Sequence, residues 1–209
     1  LSAPDGDVLT LQAQGVTTLD LTTWTQDRRR CMTLNKALMP PGRIVRHYRG
    51  RLLTAQGPIL YIGDPYNFGI YDADKGYIPF PADITVIEPT DNGLYICADK
   101  TYWIADLLGG DLQEMLPFGG VYGTSGRSPN EEPVFWQSPN GLVTADKNAS
   151  VKAVQADALQ FGAAASGASV YRQRDGMTHV VSSFSGAQPS TAVATSFFEA
   201  RVIQKGTDL

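Results

Sequence analysis

The chain has 209 residues, of which 18% are charged, and its formal net charge is −4. This mild charge offers no general attraction to nucleic acid or anionic lipid, and no apolar run approaches the roughly 20 residues of a membrane-spanning helix. The 43% hydrophobic content argues against disorder. The 21 glycines and 13 prolines favour a turn-rich β-protein over a helical one.

The N-terminal part predicts one hairpin and carries the only basic cluster. Alternating leucines on either side of Gln14-Gly15 predict a hairpin over 8–22. Three consecutive arginines follow, and they suit a solvated loop or an ion-paired protein contact better than a phosphate site: Arg28, Arg29 and Arg30. Pro40-Pro41-Gly42 then marks a module boundary, and residues 44–49 predict a strand.

One short pattern returns three times along the chain. Leu-Leu-Thr-Ala at 52–55 is followed by Gly-Leu-Tyr-Ile-Cys-Ala at 93–98 and by Gly-Leu-Val-Thr-Ala at 141–145. Each copy predicts a short apolar strand, a polar turn and a second strand. A hairpin-based repeat of about 40–45 residues has the size of one β-propeller blade.

Residues 64–80 are rich in aromatic side chains and in Pro, Gly and Asn, which predicts a long structured loop rather than a continuous strand. Two interpretations stay open: the rings cap the blades as a satellite core, or some of them contact another protein. The preferred contacts are Tyr66, Phe68 and Tyr71, whereas Tyr77 and Phe80 are expected in the core.

The C-terminal half continues the β pattern. Residues 107–116 could hold a helical turn, which Gly109-Gly110 disfavours, and 125–133 predicts a polar loop. Asp175-Gly176 predicts a tight turn in a hairpin over 170–184. That register places Val170 opposite Val181 and Arg172 opposite His179, and a last strand is expected over 197–204.

Together these elements predict an all-β, β-propeller-like domain of five modules. The modules span 1–40, 41–83, 84–121, 122–158 and 159–209. Strands from 8–22 and 197–204 would pair in one blade and close the ring. An open propeller fragment or a β-sandwich would give a similar pattern.

Catalytic and metal-binding patterns are weak. The two histidines, His47 and His179, have basic neighbours, and no metal-ligand spacing occurs. Acidic pairs could in principle support glycosidase chemistry or Ca²⁺ binding, although turn formation is favoured for each: Asp5 with Asp7, Asp72 with Asp74, and Glu131 with Glu132. We therefore expect no enzyme activity, metal or cofactor. Cys97 is expected to be a buried thiol, with a disulfide to Cys31 left open.

An ordered series of motifs from 40 to 123 resembles a family of virion structural proteins encoded among the tail and head–tail genes of tailed bacteriophages. The motifs are Pro-Pro-Gly at 40–42, Tyr-Arg-Gly-Arg-Leu at 48–52, Asp-Pro-Tyr-Asn at 64–67, Tyr-Ile-Pro-Phe-Pro at 77–81, Asp-Asn-Gly-Leu-Tyr at 91–95 and Thr-Tyr-Trp-Ile at 101–104. Gly123-Thr124 and 199–203 also fit. The resemblance covers about 85 residues well and the rest loosely.

The resemblance implies a propeller-like assembly protein of the tail, tail tip or connector, without catalytic residues. It implies other virion proteins as partners, several copies in a symmetric particle, and synthesis in the host cytoplasm before incorporation into the virion. Nucleic acid and membrane are not expected partners. A receptor- or carbohydrate-binding propeller at the tail tip is the alternative, and a polysaccharide hydrolase has the least support.

Overall fold

A computed structural model describes residues 35–109, 111–128, 133–154, 164–174 and 177–186. These residues are all-β and form several small antiparallel sheets without any helix. The prediction of an all-β fold is therefore confirmed over these residues. Several predicted features fall outside the described residues: the hairpin 8–22, the strand 197–204, the pairs Asp5/Asp7 and Glu131/Glu132, the turn Asp175-Gly176, and Cys31.

The first sheet has six strands. Strands β2 to β5 pair in chain order, β1 joins the outer edge of β5, and β6 pairs with β4. The strands are β1 (Lys36–Leu38), β2 (Ile44–Tyr48), β3 (Arg51–Gln56), β4 (Ile59–Asp64), β5 (Asn67–Asp72) and β6 (Tyr77–Pro79).

Two four-stranded sheets and a hairpin follow, each with its strands paired in chain order. The second sheet contains β7 (Val86–Pro89), β8 (Leu94–Cys97), β9 (Thr101–Ile104) and β10 (Leu112–Leu116). The third sheet contains β11 (Gly126–Arg127), β12 (Val134–Ser138), β13 (Gly141–Ala145) and β14 (Val151–Ala153). The hairpin contains β15 (Ser166–Arg174) and β16 (Met177–Ser185).

The sequence repeat has a direct structural counterpart. Its three copies contain β3, β8 and β13, and each of these strands lies between two partners of its own sheet. A strand that is buried on both faces is a continuous apolar run. Strand β8 is the clearest case, since all of its residues are buried. The predicted modules 41–83, 84–121 and 122–158 each contain most of one sheet, but β1 joins the first sheet from before residue 41. The division into five modules stays a prediction.

The sheets pack face to face and share cores. One core joins the first sheet to the second, with Leu53, Ile62, Ile87 and Ile96 among its fully or almost fully buried members. The opposite face of the second sheet packs against the third through side chains that include Tyr95, Cys97, Val134 and Trp136. Side chains alternate between the two faces of a strand, so an inner sheet can serve two cores at once.

The hairpin packs on the far face of the third sheet. The Phe135 and Tyr171 rings stack with centroids 6.0 Å apart, and Gln137 Nε2 donates a hydrogen bond to Ser182 Oγ at 2.8 Å. The register pairs Val170 with Val181 and Arg172 with His179, as predicted. Both valines are exposed on the outer face.

Edge strands of the three sheets, β2, β7 and β11, are joined by a buried ionic link. Glu88 on β7 is almost completely buried, with a side chain 2% exposed. Its carboxylate accepts hydrogen bonds from Arg46 Nη2 on β2 at 2.8 Å and from Arg127 Nε on β11 at 3.4 Å. The Glu88 carboxylate therefore connects all three sheets through hydrogen bonds. We call Arg46, Glu88 and Arg127 the ionic link.

Two sequence predictions about secondary structure are wrong. Residues 64–80 contain strands β5 and β6 instead of a long loop, because Pro65 and Tyr66 form the turn and the following residues pair with β4 and β1. The predicted loop 125–133 includes the short strand β11. Residues 112–116 form strand β10 paired with β9, which agrees with the disfavoured helical turn at 107–116.

Cys97 provides a first test of the packing. Burial raises the pKa of its thiol to about 12, and the sulfur is a free thiol, as predicted. A thiolate is the reactive form, so Cys97 in a Cys31→Ser variant should react with a thiol reagent at pH 8 only as fast as the protein unfolds. Labelling rates with and without denaturant measure this, and fast labelling of the native protein would contradict the buried position.

Candidate functional site

Two turns of the first sheet lie against each other and form one exposed surface. The β2–β3 turn contains Arg49 and Gly50, and the β4–β5 turn contains Tyr66; all three have a positive φ, at 46°, 72° and 57°. The Tyr66 amide donates a hydrogen bond to the Gly50 carbonyl at 2.7 Å. A Cβ atom at Gly50 would lie 3.0 Å from the Tyr66 ring, so glycine suits both the backbone angle and the close contact.

An aromatic patch lies at the β4–β5 turn and the start of β5, and we define it as Tyr66 and Phe68. Tyr66 is 85% exposed and Phe68 is 45% exposed. The His47 ring packs edge-on against Phe68 with centroids 5.8 Å apart. Large aromatic side chains held on tight turns lose little conformational freedom on binding and are enriched at protein interfaces. The patch is thus suited to docking.

The other aromatic candidates are placed differently. Tyr71 is half-buried and packs edge-on against Tyr61, with centroids 5.0 Å apart. Phe80 is buried against Tyr102, as predicted. The prediction that Tyr77 belongs to the core is wrong, because its side chain is 43% exposed on the short strand β6. Arg28, Arg29 and Arg30 lie outside the described residues.

A basic cavity of about 180 Å³ lies beside the patch, at the ends of β2, β7 and β11. It is lined by His47, Tyr48, Arg49, Pro89, Thr90, Asp91 and Arg127. His47 lines the cavity and also contacts the patch, so the two features adjoin. Sequence reasoning missed this cavity because its walls come from three sheets; the only local signal was the density of basic residues along 43–51.

Two polar side chains of the cavity wall, Arg49 and Tyr48, make few hydrogen bonds within the described residues. The Arg49 guanidinium lies 5.0 Å from the Tyr48 ring centroid and donates a hydrogen bond to the Asp91 backbone carbonyl. Tyr48 Oη is buried and has no hydrogen-bond partner in the part of the chain that the structure describes. Burial raises the pKa of the Tyr48 phenol, so this hydroxyl keeps its proton at neutral pH.

The contacts of the acidic pair Asp72 and Asp74 are those of an ion pair and a turn. Lys36 Nζ lies 3.1 Å from Asp72 Oδ2 and 2.9 Å from Asp64 Oδ1. The other oxygen, Asp72 Oδ1, accepts hydrogen bonds from the backbone amides of Asp74 and Lys75, which is the pattern of an Asx turn. The hydrogen bond from Lys36 lowers the pKa of Asp72. Within the described ranges, no group of three or more His, Cys, Asp or Glu side chains could hold a metal ion.

Comparisons with known proteins leave the family of this chain unassigned. No protein-family model matches it, and no curated protein matches it. Over the described residues, the chain contains no helix of the length and apolarity needed to cross a lipid bilayer. Among the described residues, the patch, the cavity and the stacked sheets are the features that could support a function.

Proposed function

We propose that this protein is a structural component of a tailed-bacteriophage particle, acting as a rigid scaffold of the tail, tail tip or connector. The observation that carries the proposal is the exposed aromatic patch at the β4–β5 turn and the start of β5, on a stack of sheets. Stacked sheets with shared cores resist deformation, and rigid aromatic anchors favour permanent contacts. The motif series from 40 to 123 supports the same assignment.

A propeller-like arrangement is part of this proposal. The sheets follow one another in chain order, as blades do, and each of the second and third sheets is a four-stranded meander. Strand β2 contacts β7, and β11 contacts β15, as the innermost strands of adjacent blades would around a central axis. The ionic link joins β2, β7 and β11 on the same side.

The partners in this proposal are other virion proteins and further copies of the chain. Phage tails have rotational symmetry, and a scaffold with a fixed docking patch would occupy several equivalent positions in a closed ring. Obligate contacts of this kind bury upwards of about 2,000 Å². The protein would be made in the host cytoplasm and become part of the virion.

A competition experiment during phage growth tests the proposal. A tagged wild-type chain supplied in trans should be incorporated into particles, whereas a tagged Tyr66→Ala/Phe68→Ala chain should be incorporated about tenfold less or worse, since aromatic hot spots contribute 2 kcal/mol or more. Tyr77→Ala is the matched control, because Tyr77 is similarly exposed to Phe68 but lies on a different strand. Quantitative blotting of gradient-purified particles measures the ratio.

Equal incorporation of the double variant and the control would contradict docking through the patch. Failure of the tagged wild-type chain to enter any particle would contradict the virion assignment itself. Melting curves of the purified variants establish that both retain the fold.

Carbohydrate binding at the tail tip is the second candidate, favoured by the exposed Tyr66 ring. It predicts glycan-array binding that Tyr66→Ala abolishes. A polysaccharide hydrolase fits the geometry less well. A general acid in such an enzyme needs a raised pKa, whereas the pKa of Asp72 is lowered and its carboxylate bonds a lysine and a turn.

A further inference from the structure

The basic cavity carries an excess of positive charge. Three guanidinium groups lie in or directly beside it, those of Arg46, Arg49 and Arg127. Two carboxylates oppose them, those of Glu88 and Asp91, and Glu88 is already shared between Arg46 and Arg127. His47 adds a third basic side chain to the wall.

The guanidinium groups in the wall are held in place yet keep donor capacity. Arg127 uses Nε for Glu88, and Arg49 uses Nη2 for the Asp91 backbone carbonyl. A guanidinium has five N–H donors in a planar fork, so each arginine retains several. Fixed guanidinium forks lose little conformational freedom on binding and match the geometry of tetrahedral oxyanions.

The size of the cavity also suits a small anion. The cavity volume of about 180 Å³ leaves room for a phosphate-sized group together with water.

We infer that this cavity is a binding site for a small tetrahedral oxyanion, a phosphate or sulfate group, held by the guanidinium groups of Arg49 and Arg127. The site goes beyond the proposed scaffold role and does not depend on it. The ligand is either a free ion or the same group carried on a larger molecule.

The test is a titration of the full chain with inorganic phosphate, at constant ionic strength with chloride as the exchanged anion. Wild-type protein should show saturable binding by calorimetry, with a millimolar or lower dissociation constant. Arg49→Gln should weaken binding by about tenfold or more, because a charge-assisted hydrogen bond and a unit charge are lost, and Arg49→Lys should recover part of it. Arg51→Gln is the control, since Arg51 bonds the Gly63 carbonyl and does not line the cavity.

Thermal unfolding gives a second readout of the same binding. On transfer from chloride to phosphate, the wild-type chain should gain more thermal stability than Arg49→Gln does, because only a ligand that binds the folded state raises its stability. Titration with a phosphate ester such as glycerol 2-phosphate then distinguishes the two sources of the ligand. A site for a phosphate group on a larger molecule should bind the ester as well as inorganic phosphate, whereas a site for the free ion should bind inorganic phosphate alone.

Two results would overturn the inference. One is the absence of saturable phosphate binding by the folded wild-type chain. The other is binding that Arg49→Gln weakens no more than Arg51→Gln does, which would place the anion elsewhere on the surface.

Discussion

Replacement of Arg46 by alanine should destabilise the protein by about 2–3 kcal/mol. The Glu88 carboxylate stays buried in this variant, and its remaining arginine contact is the longer one, to Arg127 at 3.4 Å. Removal of one partner from a buried pair costs about 3–5 kcal/mol. We expect less here because Arg127 still neutralises part of the charge and because Arg46 itself is one-third exposed. Chemical denaturation measures the change in unfolding free energy.

Arg43 offers a matched control for Arg46. It lies just before the same strand, and its guanidinium stacks over the Tyr122 ring at 4.2 Å. Among the described residues it has no carboxylate partner. Arg43→Ala should cost no more than about 1 kcal/mol, the value of an exposed cation–π contact. A double-mutant cycle with Glu88→Ala isolates the coupling between Arg46 and Glu88. If Arg46→Ala cost no more than Arg43→Ala, the ionic link would not stabilise the stack.

Replacement of Trp136 by alanine should cost about 3–5 kcal/mol, the usual result of removing a large buried aromatic ring. Trp136 is completely buried between the second and third sheets, and its ring centroid lies 5.6 Å from that of Tyr95. A Cβ atom at Gly120 would lie 2.9 Å from the Trp136 ring, so the surroundings are closely packed. The lost contacts therefore leave a cavity that the neighbouring sheets cannot fill.

Trp136→Phe tests whether packing rather than hydrogen bonding accounts for this cost. The indole N–H is buried without a hydrogen-bond partner in the described residues. Phenylalanine removes that donor and keeps most of the ring, so the loss should be smaller, about 1–2 kcal/mol. Denaturation midpoints of both variants provide the comparison, and equal losses for Ala and Phe would show that ring volume is not the deciding factor.

Sequence patterns predicted the parts of the fold where local chemistry determines structure. Alternating side chains around Asp175-Gly176 fixed the pairing of Val170 with Val181, because a shift by one residue would turn every side chain to the other face. The repeated apolar strands were also found in the predicted places. The loop predicted over residues 64–80 is wrong, because Pro, Gly and Asn do not interrupt strand formation along the whole segment. Only Pro65 and Tyr66 form the turn there, and Gly69 lies within β5.

The candidate site could be predicted only in part. Of the three preferred contacts, Tyr66 and Phe68 are exposed, whereas the half-buried position of Tyr71 depends on its contact with Tyr61 across the sheet. The basic cavity could not be predicted, because Arg49 and Arg127 are 78 positions apart in the numbering and meet only when separate sheets stack. Such contacts between sheets leave no periodic signal in the sequence.

Quantitative mass spectrometry of purified phage particles from the source of this chain tests the central proposal most directly. If the protein is a virion scaffold, it should be present in every particle at a fixed copy number that matches the rotational symmetry of the tail or connector. Intact particles that lack the protein, with the whole pool of the chain remaining as a free 22.6 kDa monomer, would contradict it.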